Sequence, residues 1–289
     1  MPVMACLNGE LMPADQARVP ISDRGFLFGD AIYEVCRVYR GRCWLEDSHM
    51  DRLARSLREM QFPPIDLVGV RRRMHATIEA SDVAEGTVYI QITRGVAPRA
   101  HAFPNPPVPP TEVIVARPYD DSATALMRET GCRVISHADI RWGRCDVKSV
   151  NLLGNVLANE AAHRAGAFEA VLIDRDGLIT EATHSSLCWV KDGVIIGTPD
   201  GPEILPGTTR HRSAGLAERL GFAFADGRIT LEDLKRADEV ILTGTTIEVL
   251  SVVTIDDATI GDGTPGPVTR KLQSAFTEAV RRWLAGDEG

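Results

Sequence analysis

Short runs in which apolar and polar residues alternate open the chain, and two longer stretches follow in which apolar residues recur every three or four positions. Alternation places one face of a strand in a core, whereas the longer spacing places one face of a helix there. The helical spacing is clear at Met50, Leu53 and Leu57. The first part of the chain is therefore predicted to contain strands at Val3–Leu7, Glu10–Met12, Ala31–Tyr39, Arg42–Trp44, Thr87–Thr93 and Glu112–Ala116, and helices at Ser48–Met60 and Leu67–Glu79.

The rest of the chain mixes the same two patterns without a regular strand–helix–strand repeat, which indicates an α+β architecture. Glycines at Gly166 and Gly221 are placed to end two of its helices. The predicted strands are Arg133–Ser136, Ala170–Ile173, Ser186–Trp189, Val194–Ile196 and Glu239–Thr243, and the predicted helices are Asn151–Ala165, Thr209–Leu220, Leu231–Arg236 and Val268–Leu284.

A chain of 289 residues is long enough for two domains. The polar segment that starts at Arg117 has the character of a connector. We expect a smaller N-terminal α+β domain over residues 1–117, an interdomain linker over 118–121 and a larger C-terminal α+β domain over 122–289.

Composition narrows the class of protein. The net charge of -8 and the scattered arginines argue against a nucleic-acid surface. No apolar run approaches the roughly 18 residues of a membrane span, and the N-terminus does not resemble a signal peptide. The six cysteines form no C-x-x-C pair, so reduced thiols and a cytoplasmic location are expected, with no metal site.

Lys148 is the lysine whose position in the sequence is consistent with a catalytic role. The chain has only four lysines, and the other three lie where a solvated charge is the ordinary explanation. Lys148 follows a strand-like segment and precedes a predicted helix. Partial desolvation at such a junction makes an amine nucleophilic, as a lysine that carries pyridoxal 5′-phosphate must be. Considered alone, Lys148 is still more simply explained as a surface residue.

Two further features fit the needs of the same cofactor. The ring nitrogen of pyridoxal phosphate requires a carboxylate partner, and Glu181 follows an apolar run and a turn. The phosphate requires backbone N–H groups at a helix start together with hydroxyls. Leu205–Arg210 supplies both, and Gly244-Thr245 supplies a second glycine–hydroxyl turn. Glu181 alone would more often be a loop charge, and each motif alone is weak.

The motifs taken in order resemble the class IV, or fold-type IV, aminotransferases, a family that depends on pyridoxal phosphate. The resemblance covers nearly the whole chain. It is carried by Asp23-Arg-Gly-Phe-Leu-Phe-Gly-Asp30, Tyr33-Glu-Val35, His49-Met-Asp-Arg-Leu53, Lys148-Ser-Val-Asn151, Thr180-Glu181 and Leu205-Pro-Gly-Thr-Thr-Arg210.

Within that family the segments Ile92–Pro104 and Asp139–Ser149 are similar to D-amino acid aminotransferases. The resemblance implies a homodimer that transfers the amino group of D-alanine or D-glutamate to 2-oxoglutarate or pyruvate. It implies that Arg99 and His101 reach into the neighbouring subunit and, with Tyr33, hold the substrate carboxylate.

The resemblance also assigns the cofactor contacts. Lys148 carries pyridoxal phosphate and moves the α-proton, and Glu181 pairs with the ring nitrogen. The phosphate contacts that it implies are Arg52, Thr208, Thr209 and Thr245.

The chain departs from the family after Glu181, where it reads Ala182-Thr-His-Ser-Ser186. His184 and Ser186 are unusual there, and Gly244 replaces a more common serine. These changes leave the side-chain preference open. The alternatives on the same fold are a branched-chain aminotransferase, an (R)-amine transaminase or an aminodeoxychorismate lyase, and Arg99-x-His101 argues against all three. A non-catalytic homologue is the alternative from another class.

Overall fold

The computed structural model describes residues 3–287, and within them the chain forms two compact units. Unit 1 comprises the chain up to Asp120 together with Val147–Asn151. Unit 2 comprises Asp121–Asp146 and the chain from Leu152 onward. Each unit mixes helices with strands, so the predicted α+β class is confirmed.

Unit 1 is built on an antiparallel sheet. Its strand order is β2-β1-β6-β5-β3-β4 among the described residues. Helices α2 and α3 pack against this sheet through their apolar faces. The elements are β1 Met4–Leu7, β2 Glu10–Pro13, α1 Arg24–Phe28, β3 Ala31–Tyr39, β4 Arg42–Cys43, α2 Glu46–Glu59, α3 Leu67–Ala80, β5 Gly86–Thr93 and β6 Thr111–Pro118.

Unit 2 is built on a larger mixed sheet of order β12-β11-β10-β13-β14-β7-β8-β9, with β15 paired to β14. Buried side chains from its central strands, mostly valine, leucine and isoleucine, form the hydrophobic core of the unit. The strands are β7 Cys132–Ala138, β8 Glu169–Ile173, β9 Ile179–Ala182, β10 Ser186–Lys191, β11 Val194–Gly197, β12 Phe224–Asp226, β13 Glu239–Gly244, β14 Glu248–Ile255 and β15 Ala258–Thr259. The helices are α4 Ser122–Thr130, α5 Leu153–Arg164, α6 Thr208–Arg219, α7 Leu231–Leu234 and α8 Pro267–Ala285.

The segment Val147–Asn151 groups with unit 1, although the sequence analysis assigned it to the larger domain. Backbone hydrogen bonds account for this difference. Tyr33 N–H donates to Lys148 O at 2.9 Å, and Val150 N–H donates to Ala31 O at 3.2 Å. Lys148 is thereby fixed beside β3.

The helices of the described chain show no membrane-spanning character, because none combines sufficient length with sufficient apolar content.

Candidate active site

The Lys148 amine lies over the ring of Tyr33 in unit 1. Nζ is 4.4 Å from the ring centroid and donates a hydrogen bond to the Tyr33 hydroxyl at 3.4 Å. The backbone N–H of Lys148 donates to Ser56 Oγ of α2 at 3.3 Å. Strand β3 and helix α2 therefore position Lys148 together, and its side chain remains partly accessible.

Behind Tyr33 lies a buried ionic cluster formed by Glu34, His49 and Arg52. Arg52 donates two hydrogen bonds to the Glu34 carboxylate, at 2.7 and 2.9 Å, and His49 Nδ1 lies 2.8 Å from Glu34 Oε2. Helical spacing of three residues brings His49 and Arg52 to the same face of α2. Glu34 is fully buried.

The electrostatics of this cluster favour an ionised Glu34. Burial by itself would raise the pKa of Glu34, but the charge and hydrogen bonds of Arg52, with those of His49, outweigh burial and hold this pKa well below its usual value. Burial is the largest effect on the pKa of His49 and lowers it. The charges of Arg52 and Lys148 lower this pKa further, whereas the hydrogen bond and the charge of Glu34 raise it. The cluster therefore places the Arg52 guanidinium and the His49 imidazole around an ionised Glu34, within electrostatic range of Lys148.

The Asp23–Asp30 motif supports the loop that carries Arg99 and His101. The buried Arg24 donates to Asp30 at 2.8 Å, to Ala100 O at 2.6 Å and to Ala102 O at 3.2 Å. A buried arginine satisfied in this way fixes the backbone of the loop to its own unit.

The side chains of Arg99 and His101 are both exposed, and both lie beside Phe28. The Arg99 guanidinium carbon is 5.3 Å from the Phe28 ring centroid, and the His101 ring is 5.7 Å from it. Across the described residues of unit 1, no hydrogen bond, ion pair or ring contact joins either side chain to Tyr33 or Lys148. The structure joins Lys148 to Tyr33 and places Arg52 within electrostatic range of Tyr33, whereas no contact within the described residues links Arg99 or His101 to them.

In unit 2, Glu181 lies near the end of β9 and contacts Arg141. Arg141 Nη1 donates to Glu181 Oε1, and Arg141 Nη2 donates to Asp139 Oδ2 at 2.7 Å. The N–H of Leu205 donates to the Glu181 carboxylate at 3.3 Å. Burial would lower the pKa of Arg141, but Asp139 and Glu181 outweigh it and raise this pKa. Glu181 thus keeps a guanidinium partner in a site that is more than nine-tenths buried.

The N-terminus of α6 holds two of the predicted phosphate contacts, Thr208 and Thr209. Both are buried, and Gly207 precedes them as the N-cap without a side-chain hydrogen bond to the helix. Thr245, the remaining threonine among the predicted phosphate contacts, lies in the turn between β13 and β14 and is half-buried. Helix starts of this kind bind anions because their first N–H groups have no partner within the helix.

The unusual segment after Glu181 is held by a fully buried carboxylate, Glu169 of β8. Its oxygens accept hydrogen bonds from Thr183 Oγ1 at 2.9 Å, His184 N–H at 2.7 Å and Ser185 Oγ at 2.6 Å. This network fixes the turn between β9 and β10, while the His184 ring stays half exposed and packs edge-on against Phe168.

Comparison with known proteins decides the family. The profile of the amino-transferase class IV family matches residues 31–255. The chain belongs to the class IV aminotransferases. The expected family, fold and enzyme class are therefore confirmed.

Several relatives share most of their length with this class IV aminotransferase. It is 41% identical to the D-alanine aminotransferase of Staphylococcus haemolyticus over 278 residues, which cover 95% of this chain and 96% of the relative. It is 38% identical to the D-alanine aminotransferase of Bacillus licheniformis over 277 residues, covering 94% and 95%.

Solved structures of the same family superpose closely on it. A T.th. branched-chain amino acid aminotransferase with pyridoxamine 5′-phosphate has a TM-score of 0.90 at 26% identity, over 97% of this chain and 94% of that one. An Escherichia coli branched-chain amino acid aminotransferase has a TM-score of 0.85 at 25% identity, over 100% and 96%.

The residues of this class IV aminotransferase fit the cofactor of its family. A nucleophilic amine, a buried carboxylate and a helix start with two hydroxyls are the groups that pyridoxal phosphate requires. At this helix start Gly207 leaves open space beside the Ser186 hydroxyl, since a methyl group on Gly207 would overlap that oxygen. The enzyme therefore has the donor set of a pyridoxal-phosphate-dependent aminotransferase.

Sequence reasoning did not find Arg141, Glu34 or Glu169. Arg141 lies within the segment Asp139–Ser149, but nothing in that segment indicates its partner Glu181, which lies 40 positions away. Arginine and glutamate are common surface residues, so neither residue type reveals such a pair. The available signal for Glu34 was its position in β3, where a charge stands within an apolar strand.

Proposed function

We propose that this enzyme transfers the amino group of D-amino acids, chiefly D-alanine and D-glutamate, to 2-oxo acids such as 2-oxoglutarate and pyruvate. The observation that carries the proposal is its 38–41% identity to D-alanine aminotransferases over almost the whole chain. The branched-chain aminotransferases of similar structure are less similar in sequence, at 25–26% identity.

Lys148 is assigned the catalytic role in this proposal. Bound pyridoxal phosphate supplies an electron sink for the charge released when the substrate loses its α-proton. Lys148 Nζ carries the cofactor, removes that proton and returns it at the other end of the transfer. The hydrogen bond from Nζ to the Tyr33 hydroxyl, at 3.4 Å, orients the amine for this step.

Glu181 is assigned to the cofactor ring nitrogen, where a carboxylate keeps a proton in place. Its contacts with Arg141 and with the N–H of Leu205 support this assignment, because they hold the carboxylate in one orientation.

Arg52, Thr208, Thr209 and Thr245 are assigned to the phosphate. The buried Arg52 is held by two hydrogen bonds to Glu34, which orients its guanidinium. The start of α6 and the β13–β14 turn supply N–H groups and hydroxyls. Glu34 is then a positioning residue that acts through Arg52.

The substrate carboxylate is assigned to Arg99, His101 and Tyr33, with Arg99 and His101 supplied by the second subunit of a homodimer. Both side chains are exposed on a loop that Arg24 fixes firmly, and neither contacts Tyr33 of its own unit among the described residues. An arginine fork suits a carboxylate because it offers two parallel donors. A cytoplasmic location completes the proposal, supported by six cysteines that form no disulfide.

A panel of D- and L-amino acids with 2-oxoglutarate and pyruvate as acceptors tests the proposal. We expect turnover of D-alanine and D-glutamate, and no turnover of L-leucine or L-isoleucine. Preferential turnover of the branched L-amino acids would overturn it in favour of a branched-chain aminotransferase, which the structural similarity also accommodates.

A further inference from the structure

Ser186, the first residue of β10, has no part in the assignments above. In the antiparallel pairing of β10 with β13 it lies directly opposite Thr243. Directly opposed residues of antiparallel strands project from the same face of a sheet. The hydroxyls of Ser186 and Thr243 therefore share a face, next to the turn that contains Gly244 and Thr245.

Ser186 also lies against the N-terminus of α6. A methyl group built on Gly207 would overlap Ser186 Oγ, and it would meet no other atom as closely. Gly207 is the N-cap of α6, a helix of 12 residues whose first N–H groups have no side-chain cap. The Ser186 hydroxyl is consequently adjacent to the positive end of this helix.

Ser186 is a buried residue, 8% exposed, whose hydroxyl forms no hydrogen bond within residues 3–287 of the described structure. The Thr243 hydroxyl is buried and has no hydrogen-bond partner in the described chain. Buried hydroxyls are normally hydrogen-bonded. The unsatisfied Thr243 hydroxyl, with the unbonded Ser186 hydroxyl on the same face beside a helix start, indicates an acceptor supplied by a ligand.

We propose that Ser186 Oγ donates a hydrogen bond to the phosphate group bound at the N-terminus of α6. This inference rests on the proposed function, because the phosphate is that of the pyridoxal cofactor. A hydroxyl donor suits a phosphate oxygen, and Gly207 leaves the room for Ser186 to approach. Ser186 is thus a further cofactor-binding residue, at one of the positions where this sequence departs from its family.

Titration of the full chain, stripped of cofactor, tests this role through binding rather than activity. Pyridoxal phosphate, pyridoxal and inorganic phosphate are added separately to the wild type and to Ser186→Ala, Ser213→Ala and Thr209→Ala, and tryptophan fluorescence reports binding. Ser213 is the matched control, since its hydroxyl is buried and unpartnered in the described structure but lies further along α6.

We expect Ser186→Ala to raise the dissociation constant of pyridoxal phosphate roughly tenfold, as loss of a hydrogen bond to a charged group does. It should weaken inorganic phosphate and leave pyridoxal unchanged, and Ser213→Ala should change none of the three. Equal weakening of pyridoxal and pyridoxal phosphate would indicate a structural role and overturn the inference.

The Thr209 variant distinguishes failure of the inference about Ser186 from failure of the proposed phosphate site at α6. If Thr209→Ala weakens pyridoxal phosphate and Ser186→Ala does not, the inference about Ser186 is wrong and the proposed phosphate site stands. If neither variant weakens it, the phosphate does not bind at α6, and both assignments fail. Thermal unfolding of the ligand-free variants shows whether each one is folded as the wild type is.

Discussion

At the scale of single residues, the sequence led to the assignment of Lys148 and Glu181, because the cofactor needs an amine and a carboxylate at particular places along the family's motifs. The buried partners of Glu181 and Arg52 could not be predicted, because Arg141 and Glu34 act through contacts that only folding creates. The pair Glu34–Arg52 spans 18 positions and joins β3 to α2. Charged residues of this kind have the same appearance in a sequence whether they are buried or exposed.

Lys148→Ala should abolish transamination, because the described part of unit 1 places no second lysine beside Tyr33 to carry the cofactor and move the proton. Initial rates with D-alanine and 2-oxoglutarate check this. Lys191→Ala is the matched control, since Lys191 lies at the end of β10 and is half exposed. More than trace activity in the Lys148 variant would contradict the assignment.

Glu34→Gln should destabilise unit 1 by about 3–5 kcal/mol at neutral pH, because it leaves a buried guanidinium without its carboxylate. The pKa of Glu34 is lowered in the folded state from its usual 4.5. Its stabilisation is therefore fully present above about pH 4.5 and is lost as the pH falls toward the folded-state pKa.

Urea unfolding across the pH range measures this effect. The free-energy gap between wild type and Glu34→Gln should narrow below about pH 4.5. Glu79→Gln, at an exposed position of α3, should show no comparable gap. A gap that stays constant from pH 7 to strongly acidic pH would show that folding does not lower the pKa of Glu34.

At the scale of elements, alternation and helical spacing predicted β3, β5, α2 and α8 with small errors at their ends. They did not predict β14, because the apolar residues of Glu248–Ile255 come mostly in pairs and do not alternate with polar ones. Strands that are buried on both faces often lack such alternation, so this pattern does not separate β14 from other apolar segments of the chain. Helix α4 was missed because its apolar face is narrow and only Thr124 is buried.

The start of α6 offers a prediction about packing between elements. Gly207→Ala should destabilise unit 2 by about 1–3 kcal/mol, because the new methyl group overlaps Ser186 Oγ. Combining it with Ser186→Ala should restore most of that loss, since the remaining neighbours lie at 3.3 Å or more.

Chemical denaturation of the single and double variants gives the coupling energy between these residues. Gly215→Ala is the control in the same helix, because an added methyl group there meets nothing within 4 Å. It should stabilise the helix by about 0.5–1 kcal/mol. Additive effects of the Gly207 and Ser186 changes would contradict the close contact between them.

At the scale of the whole molecule, the order of the strands could not be predicted. In unit 2 the parallel pairing of β7 with β14 joins segments more than a hundred residues apart, and no local pattern encodes it. The class of the fold was predictable because helices and strands mix without a regular repeat. The loop of Arg99 and His101 is exposed in the single chain, and in the proposed homodimer it serves the second subunit.

Hybrid dimers test whether that loop serves a second subunit. Lys148→Ala and Arg99→Ala should each be nearly inactive, the latter through loss of a charge-assisted contact that contributes about 2–4 kcal/mol. Mixed dimers should regain activity, because one of their two sites combines an intact lysine with an intact arginine. Demonstrably mixed dimers that remain inactive would show that Arg99 does not act across an interface.

The most direct test of the central claim is the absorbance of the purified protein during a single half-reaction. The protein should show the visible band of lysine-bound pyridoxal phosphate, and D-alanine without an acceptor should bleach it, whereas L-leucine should not. Pyruvate should then restore the original band in the D-alanine sample. Bleaching by L-leucine but not by D-alanine would contradict the account.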